Sequence, residues 1–262
     1  MTRISDWFAT NKRPALVTFV TAGDPSPEVT VPALHALVDG GADILELGIP
    51  FSDPEAEGPV IQAASERALA NNTHLADVLA MVSQFRKDNQ HTPVVLMGYL
   101  NSVLAMTDFA KAAGQAGVDG LIMVNLPPEE ADQLRSELQQ ESIDLIFLIA
   151  PTTTAERAAY IMSKAQGFVY YVSLKGITGA SLQQADAVSG KLAMLREHSD
   201  LPICVGFGIK DGATAGQIGV HADGVVVGSA LVDLMGQGGS TEAICERLQS
   251  AAAALRSGMD AA

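Results

Sequence analysis

Eight short apolar runs, rich in Val and Ile, recur along the whole chain, and between them the hydrophobic period changes to that of a helix. The runs are Ala15–Val20, Ile44–Leu47, Val94–Met97, Leu121–Val124, Leu145–Ile149, Phe168–Val172, Ile203–Val205 and Gly224–Val227. They are apolar throughout and do not alternate, the pattern of strands buried on both faces of a parallel sheet. Between the second and third runs, Leu75, Val78, Leu79, Val82 and Phe85 fall at helical spacing. An aspartate stands at or next to the start of four runs, at Asp43, Asp119, Asp144 and Asp223. Gly41 and Gly117, just before two of them, read as helix stops ahead of a strand start. Eight β/α units in 262 residues predict a single (β/α)8 TIM barrel, one domain over 1–262. A doubly wound open sheet is the competing architecture, but no GxGxxG follows the first run. Ile4, Trp7 and Phe8 predict an extra N-terminal helix that covers the barrel's N-terminal end.

Composition narrows the function. With 48% hydrophobic residues the chain is expected to be globular, and its longest apolar runs are too short to span a bilayer. The start of the chain carries no signal-peptide core, and Cys204 and Cys245 lack CxxC spacing, so a cytoplasmic location is expected. Cys204, inside an apolar run, reads as small core filler. A net charge of −14 argues against nucleic acid or an anionic membrane as partner. An anionic substrate would need a local site built from backbone N–H groups. The five histidines show no ligand spacing, so no metal site is expected.

In a TIM barrel the chemistry lies where the strands end. Glu46 is a carboxylate inside the second run, and its burial costs several kcal/mol unless it is paired or protonated. A carboxylate perturbed in this way and aimed into a cleft suits general acid/base work; a Glu satisfied by neighbouring strands is the bland alternative. The loop that follows carries Asp53, Glu55 and Glu57, stiffened by Pro54, Gly58 and Pro59. After the sixth run, Tyr170 points to the barrel interior or to core packing. Gly176, Thr178 and Gly179 suit a lid. Lys175 raises a Schiff-base mechanism, although it lies three residues beyond the run and reads better as a solvated loop lysine. Gly206-Phe207-Gly208 after the seventh run and Gly228-Ser229 after the eighth give a phosphate signal. Their glycines admit an anion, and a helix opening after Gly228 offers unpaired N–H groups.

At these residues the chain resembles the tryptophan synthase alpha family. The most specific match is Leu45-Glu46-Leu47-Gly48-Ile49-Pro50-Phe51-Ser52-Asp53-Pro54, followed by Gly58-Pro59-Val60-Ile61-Gln62. Phe19 to Pro25, Met97 to Asn101, Ser173 to Gly179 and Gly206 to Ile209 extend it over the whole chain. The resemblance implies a lyase of tryptophan biosynthesis that splits indole-3-glycerol phosphate into indole and glyceraldehyde 3-phosphate by a cofactor-free retro-aldol cleavage. Glu46 matches the family's catalytic glutamate. Glu57 stands where the family usually has an aspartate that accepts the indole N–H. Tyr170 and Thr178 match a substrate-side tyrosine and the lid threonine, and Gly179, Gly208, Gly228 and Ser229 the phosphate cradle, beside which Phe207 is placed. Phe19 matches an aromatic wall of the indole pocket, and Asp53 a contact with the beta subunit. That partner, which carries pyridoxal phosphate, implies an alpha2-beta2 tetramer.

Two departures stand out. Glu57 in place of Asp moves the carboxylate by roughly 1.5 Å, one C–C bond, on an unchanged backbone. Asn125, after the fourth run, stands where an aspartate is common. Retained function with a repositioned loop is the expectation. A catalytically weak subunit that chiefly activates its partner, a Schiff-base aldolase using Lys175, and another phosphate-binding barrel are the alternatives.

Overall fold

The computed structural model describes residues 2–172, 182–206 and 208–262, with the side chains of 182–187 excepted. Eight parallel strands close a barrel in the order β1-β2-β3-β4-β5-β6-β7-β8. They are β1 (Ala15–Thr21), β2 (Ile44–Gly48), β3 (Val94–Gly98), β4 (Gly120–Met123), β5 (Asp144–Ile149), β6 (Val169–Val172), β7 (Ile203–Gly206) and β8 (Gly224–Val227). The closing ladder pairs Ala15 with Gly224 and Thr18 with Val227. The helices are α1 (Arg3–Thr10), α2 (Pro27–Asp39), α3 (Pro59–Ala70), α4 (Leu75–Phe85), α5 (Leu100–Leu104), α6 (Phe109–Ala116), α7 (Asp132–Gln140), α8 (Ala155–Lys164), α9 (Leu182–Arg196), α10 (Gly212–Gly219), α11 (Ser229–Gly236) and α12 (Thr241–Asp260). The expected (β/α)8 barrel is what forms. No helix among the described residues is long and apolar enough to cross a membrane.

Each strand contributes to two cores, because alternate residues face opposite sides. Val17, Ile44, Val95, Ile122, Ile146, Phe168, Cys204 and Val226 fill the barrel interior, with Cys204 fully buried there as core filler. Leu16, Leu45, Leu96, Leu121 and Leu145 face outward and pack under the helices. α1 stops the N-terminal end: Ile4 is fully buried in the interior cluster, and Trp7 and Phe8 pack against it.

The recurring aspartates also lie at that end, and the structure gives their reason. Asp43, Asp119 and Asp223 each precede a strand and accept a backbone N–H from the neighbouring one. The donors are Leu16 (2.9 Å), Val94 (2.8 Å) and Ile203 (2.9 Å). Asp144 instead accepts the Thr2 hydroxyl at 2.5 Å and ties down α1. Arginines pair with these carboxylates, Arg13 and Arg256 at the buried Asp43, Arg3 and Arg86 at the buried Asp119, and Arg196 at the half-buried Asp223. Gly41 and Gly117 take φ of 103° and 89°, left-handed turns that a side chain would strain.

Strand ends differ from the apolar runs by one residue in several places. β2, β3 and β7 each continue onto a glycine, Gly48, Gly98 and Gly206, while Val124 and Phe168 fall outside β4 and β6. A glycine adds nothing to an apolar count yet pairs as any residue does. At Gly48 it is required, since a Cβ there would come within 2.6 Å of the Phe19 ring.

Candidate active site

Where the strands end, a cavity of about 340 Å³ opens, and seven of the residues singled out from the sequence line it. They are Phe19, Glu46, Glu57, Tyr170, Gly208, Gly228 and Ser229. Glu46 pairs in register with Phe19 on one side and Val95 on the other, and its side chain shares the interior face with Ile44. It is 1% exposed, and its Oε2 has no hydrogen-bond partner. An ionised carboxylate would be costly there, so burial, and secondarily the Glu57 carboxylate, push its pKa up to about 8. Glu57, half-buried on the loop after β2, is raised to about 7 by burial. Between those two values Glu57 is largely ionised while Glu46 keeps its proton. Two carboxyls driven apart in this way can divide acid and acceptor roles.

Tyr170 lies on β6 opposite Cys204, and its ring occupies the space that a side chain at Gly206 would need. Burial, then the carboxylates of Glu46 and Glu57, raise its pKa well above the usual phenol value. It therefore faces the cavity as a neutral donor. Phe19 is held between Gly48 and Gly228, whose added Cβ atoms would meet its ring or its Cβ.

On the far side of the cavity Gly228 caps α11. The Leu231 and Val232 N–H groups both donate to the Gly228 carbonyl, at 2.9 and 3.1 Å. The N–H groups of Ser229 and Ala230, at the first turn, have no helical acceptor and carry the positive end of the dipole. Gly208, with φ of 78°, adds backbone beside them. These groups can hold a phosphate in a chain of net charge −14.

Thr178, Gly179 and Phe207 lie outside the described residues, as does Lys175. Asp53 does not join the cavity. It is exposed beside a separate depression of about 190 Å³ that Phe51, Ser52, Pro54, Glu55, Gln62 and Glu66 also line. The sequence reading missed the apolar walls of the cavity, Ile61, Met97, Leu148, Ile209 and Val226. Three of them were legible: Met97, Leu148 and Val226 stand two residues beyond the interior positions Val95, Ile146 and Gly224. Asn125 accepts the Leu100 N–H at 2.8 Å through Oδ1 and donates to Asn101 at 3.3 Å through Nδ2. The amide satisfies both contacts at the start of α5.

The family model for the tryptophan synthase alpha chain matches residues 7–260. The chain belongs to that family. Its members are lyases that cleave indole-3-glycerol phosphate. A tryptophan synthase alpha chain from Nitrosococcus oceani is 51% identical over 267 residues, covering 100% of this chain and 98% of that one. One from Chromobacterium violaceum is 57% identical, covering 88% and 90%. Among solved structures, tryptophan synthase subunit alpha from Legionella pneumophila superposes with a TM-score of 0.90 at 44% identity, covering 100% of both chains. A tryptophan synthase from M. tuberculosis in an aminoacrylate-bound form gives 0.87 at 35% identity, covering 99% and 100%.

Proposed function

We propose that this chain carries out the family's cleavage with Glu46 as acid and then base, and Glu57 as acceptor for the indole N–H. Indole-3-glycerol phosphate lies with its ring against Phe19, Met97 and Leu148 and its phosphate at the first turn of α11. Protonated Glu46 delivers its proton to indole C3 and ends the aromaticity of the five-membered ring. Positive charge develops at the ring nitrogen, and ionised Glu57 stabilises it through the N–H. The Glu46 carboxylate then takes the proton of the side-chain hydroxyl next to C3. The bond between C3 and that carbon breaks, its electron pair restores the indole, and the hydroxyl carbon becomes the aldehyde of glyceraldehyde 3-phosphate. Glu46 finishes protonated, as it began. Neutral Tyr170, whose hydroxyl faces the same cavity, hydrogen-bonds the substrate alongside Glu46.

The observation that carries this reading is Glu46 itself, a fully buried carboxyl with one unpartnered oxygen, raised to about 8 and facing the cavity. Its test is indole release by Glu46→Gln against wild type. A loss of about 10²–10⁴-fold is expected when an acid/base is removed. Retention of wild-type turnover would reject the assignment.

The family's name as an alpha chain supports a beta-chain partner. We read the exposed Asp53 face as its contact, in an alpha2-beta2 assembly whose pyridoxal phosphate belongs to the partner while this chain works without a cofactor. No observation favours the allosteric-only, Schiff-base or other-barrel readings over this one.

A further inference from the structure

We propose that Tyr99, with Gln62 as its counterpart on α3, is a positioning residue that fixes the Glu57 carboxylate for the indole N–H; this rests on the reading of Glu57 given above. The loop between β2 and α3 carries three acids, Asp53, Glu55 and Glu57, with Glu46 below it. Two bonds within the loop, Glu55 N–H to the Asp53 carbonyl (2.9 Å) and Glu57 N–H to the Pro54 carbonyl (3.0 Å), fold it but anchor it to nothing else.

The anchors come from outside. The Ala56 N–H donates to the Tyr99 phenolic oxygen at 3.0 Å, and Gln62 Nε2 donates to the Glu57 carbonyl at 2.8 Å. They bracket the Glu57 Cα from both directions along the backbone, one from the end of β3 and one from α3. Tyr99 is itself fixed, 4% exposed and stacked on Phe51 at 4.9 Å with an interplanar angle of 17°. It follows Gly98, the last residue of β3, so its oxygen reports the position of the barrel rim. Tyr99 does not line the cavity of about 340 Å³ itself but a smaller pocket beside it, shared with Phe19, Met97 and Glu57, and its hydroxyl is taken up by the Ala56 N–H, so its influence on the substrate runs through Glu57. The longer glutamate makes this control more necessary, because it adds a rotatable bond between the anchored backbone and the carboxylate. A misplacement of about 1 Å costs on the order of 10²-fold in rate.

The experiment compares wild type, Tyr99→Phe, Gln62→Met and Glu57→Gln. Each is measured for kcat and KM with indole-3-glycerol phosphate, for Tm, and for the ratio of inhibition by indole to inhibition by benzofuran, its isostere without the N–H. Tyr99→Phe keeps the ring on Phe51 and removes only the acceptor of the Ala56 N–H. We expect its kcat to fall about 10- to 100-fold with Tm nearly unchanged, and its preference for indole over benzofuran to shrink toward that of Glu57→Gln. Gln62→Met changes in the same direction. If Tyr99→Phe keeps wild-type kcat and preference while Glu57→Gln loses both, the positioning role is overturned and the Glu57 reading stands. If Tyr99→Phe loses Tm and kcat with the preference intact, Tyr99 is a structural residue and the proposal is also overturned. If Glu57→Gln itself keeps wild-type kcat, the reading of Glu57 fails and the proposal fails with it.

Discussion

Glu46 and Glu57 show how two identical functional groups acquire different chemistry from position alone. Glu46 belongs to a strand and points into the barrel, where it is almost fully buried and its Oε2 has no hydrogen-bond partner. Glu57 belongs to a loop and keeps part of its surface in solvent. Activity by the proposed mechanism needs Glu57 ionised, so it falls as pH drops through about 7, and it needs Glu46 protonated, so it falls as pH rises through about 8. Because the Glu57 carboxylate is one of the two causes that raise Glu46, Glu57→Gln should remove the acidic limb and move the basic limb below about 8. The pH dependence of the residual kcat/KM measures both. A basic limb that stays in place would show that the two carboxyls are not coupled.

At the scale of elements, the barrel separates stability from chemistry by using opposite ends of its strands. The carboxylate clamps hold the N-terminal ends together, and the acids and glycines at the C-terminal ends are left for the site. Asp119, like Asp43, takes three donors, accepting from Val94, Arg3 and Arg86. Arg86 is itself nearly buried, with its pKa lowered to about 10 by that burial, so it remains charged at neutral pH. Asp119→Ala would leave that guanidinium without its counter-ion and the start of β3 without an acceptor. We expect a loss of about 3–5 kcal/mol in urea unfolding, with kcat at low temperature little changed. A variant as stable as wild type would mean that the backbone carbonyls on Arg86 compensate for the missing carboxylate. Asp24 does similar work at the other end: fully buried, it is held by Arg67 of α3 at 2.6 Å and so joins the loop after β1 to the helix that follows Glu57.

The whole molecule sets a field that its site must overcome. A chain of net charge −14 repels a phosphorylated substrate at long range, and the phosphate site proposed at the first turn of α11 acts only at contact. Salt screens the first effect far more than the second. Raising ionic strength from about 10 to about 150 mM shortens the screening length from about 30 to about 8 Å. The KM of the isolated chain for indole-3-glycerol phosphate should therefore fall a few-fold over that range, as steady-state kinetics can show. A KM that rises instead would mean that a side-chain cation dominates phosphate capture.

Much of this architecture was legible along the chain. A both-faces-buried strand writes itself as an unbroken apolar run, so the barrel followed from counting eight of them. Glu46 stood out because a charge inside such a run demands an explanation. Gly228-Ser229 was legible because a helix start after a strand leaves N–H groups unpaired wherever it occurs. The strand ends at Gly48, Gly98 and Gly206 were not, since glycine carries no hydropathy signal and its reason lies in what packs over it, Phe19 on Gly48 and Tyr170 on Gly206. The aspartate repeat was visible, but its use as a clamp depends on which strand lies alongside, which is decided by closure of the barrel. The role of Tyr99 likewise depends on a through-space bond, from the loop after β2 to the residue that follows β3. Sequence thus determined the elements and the chemical groups available, because those depend on local pattern. Only the tertiary structure decided which carboxyl keeps its proton and which residues hold the other in place, because desolvation and contact arise only once distant strands are neighbours.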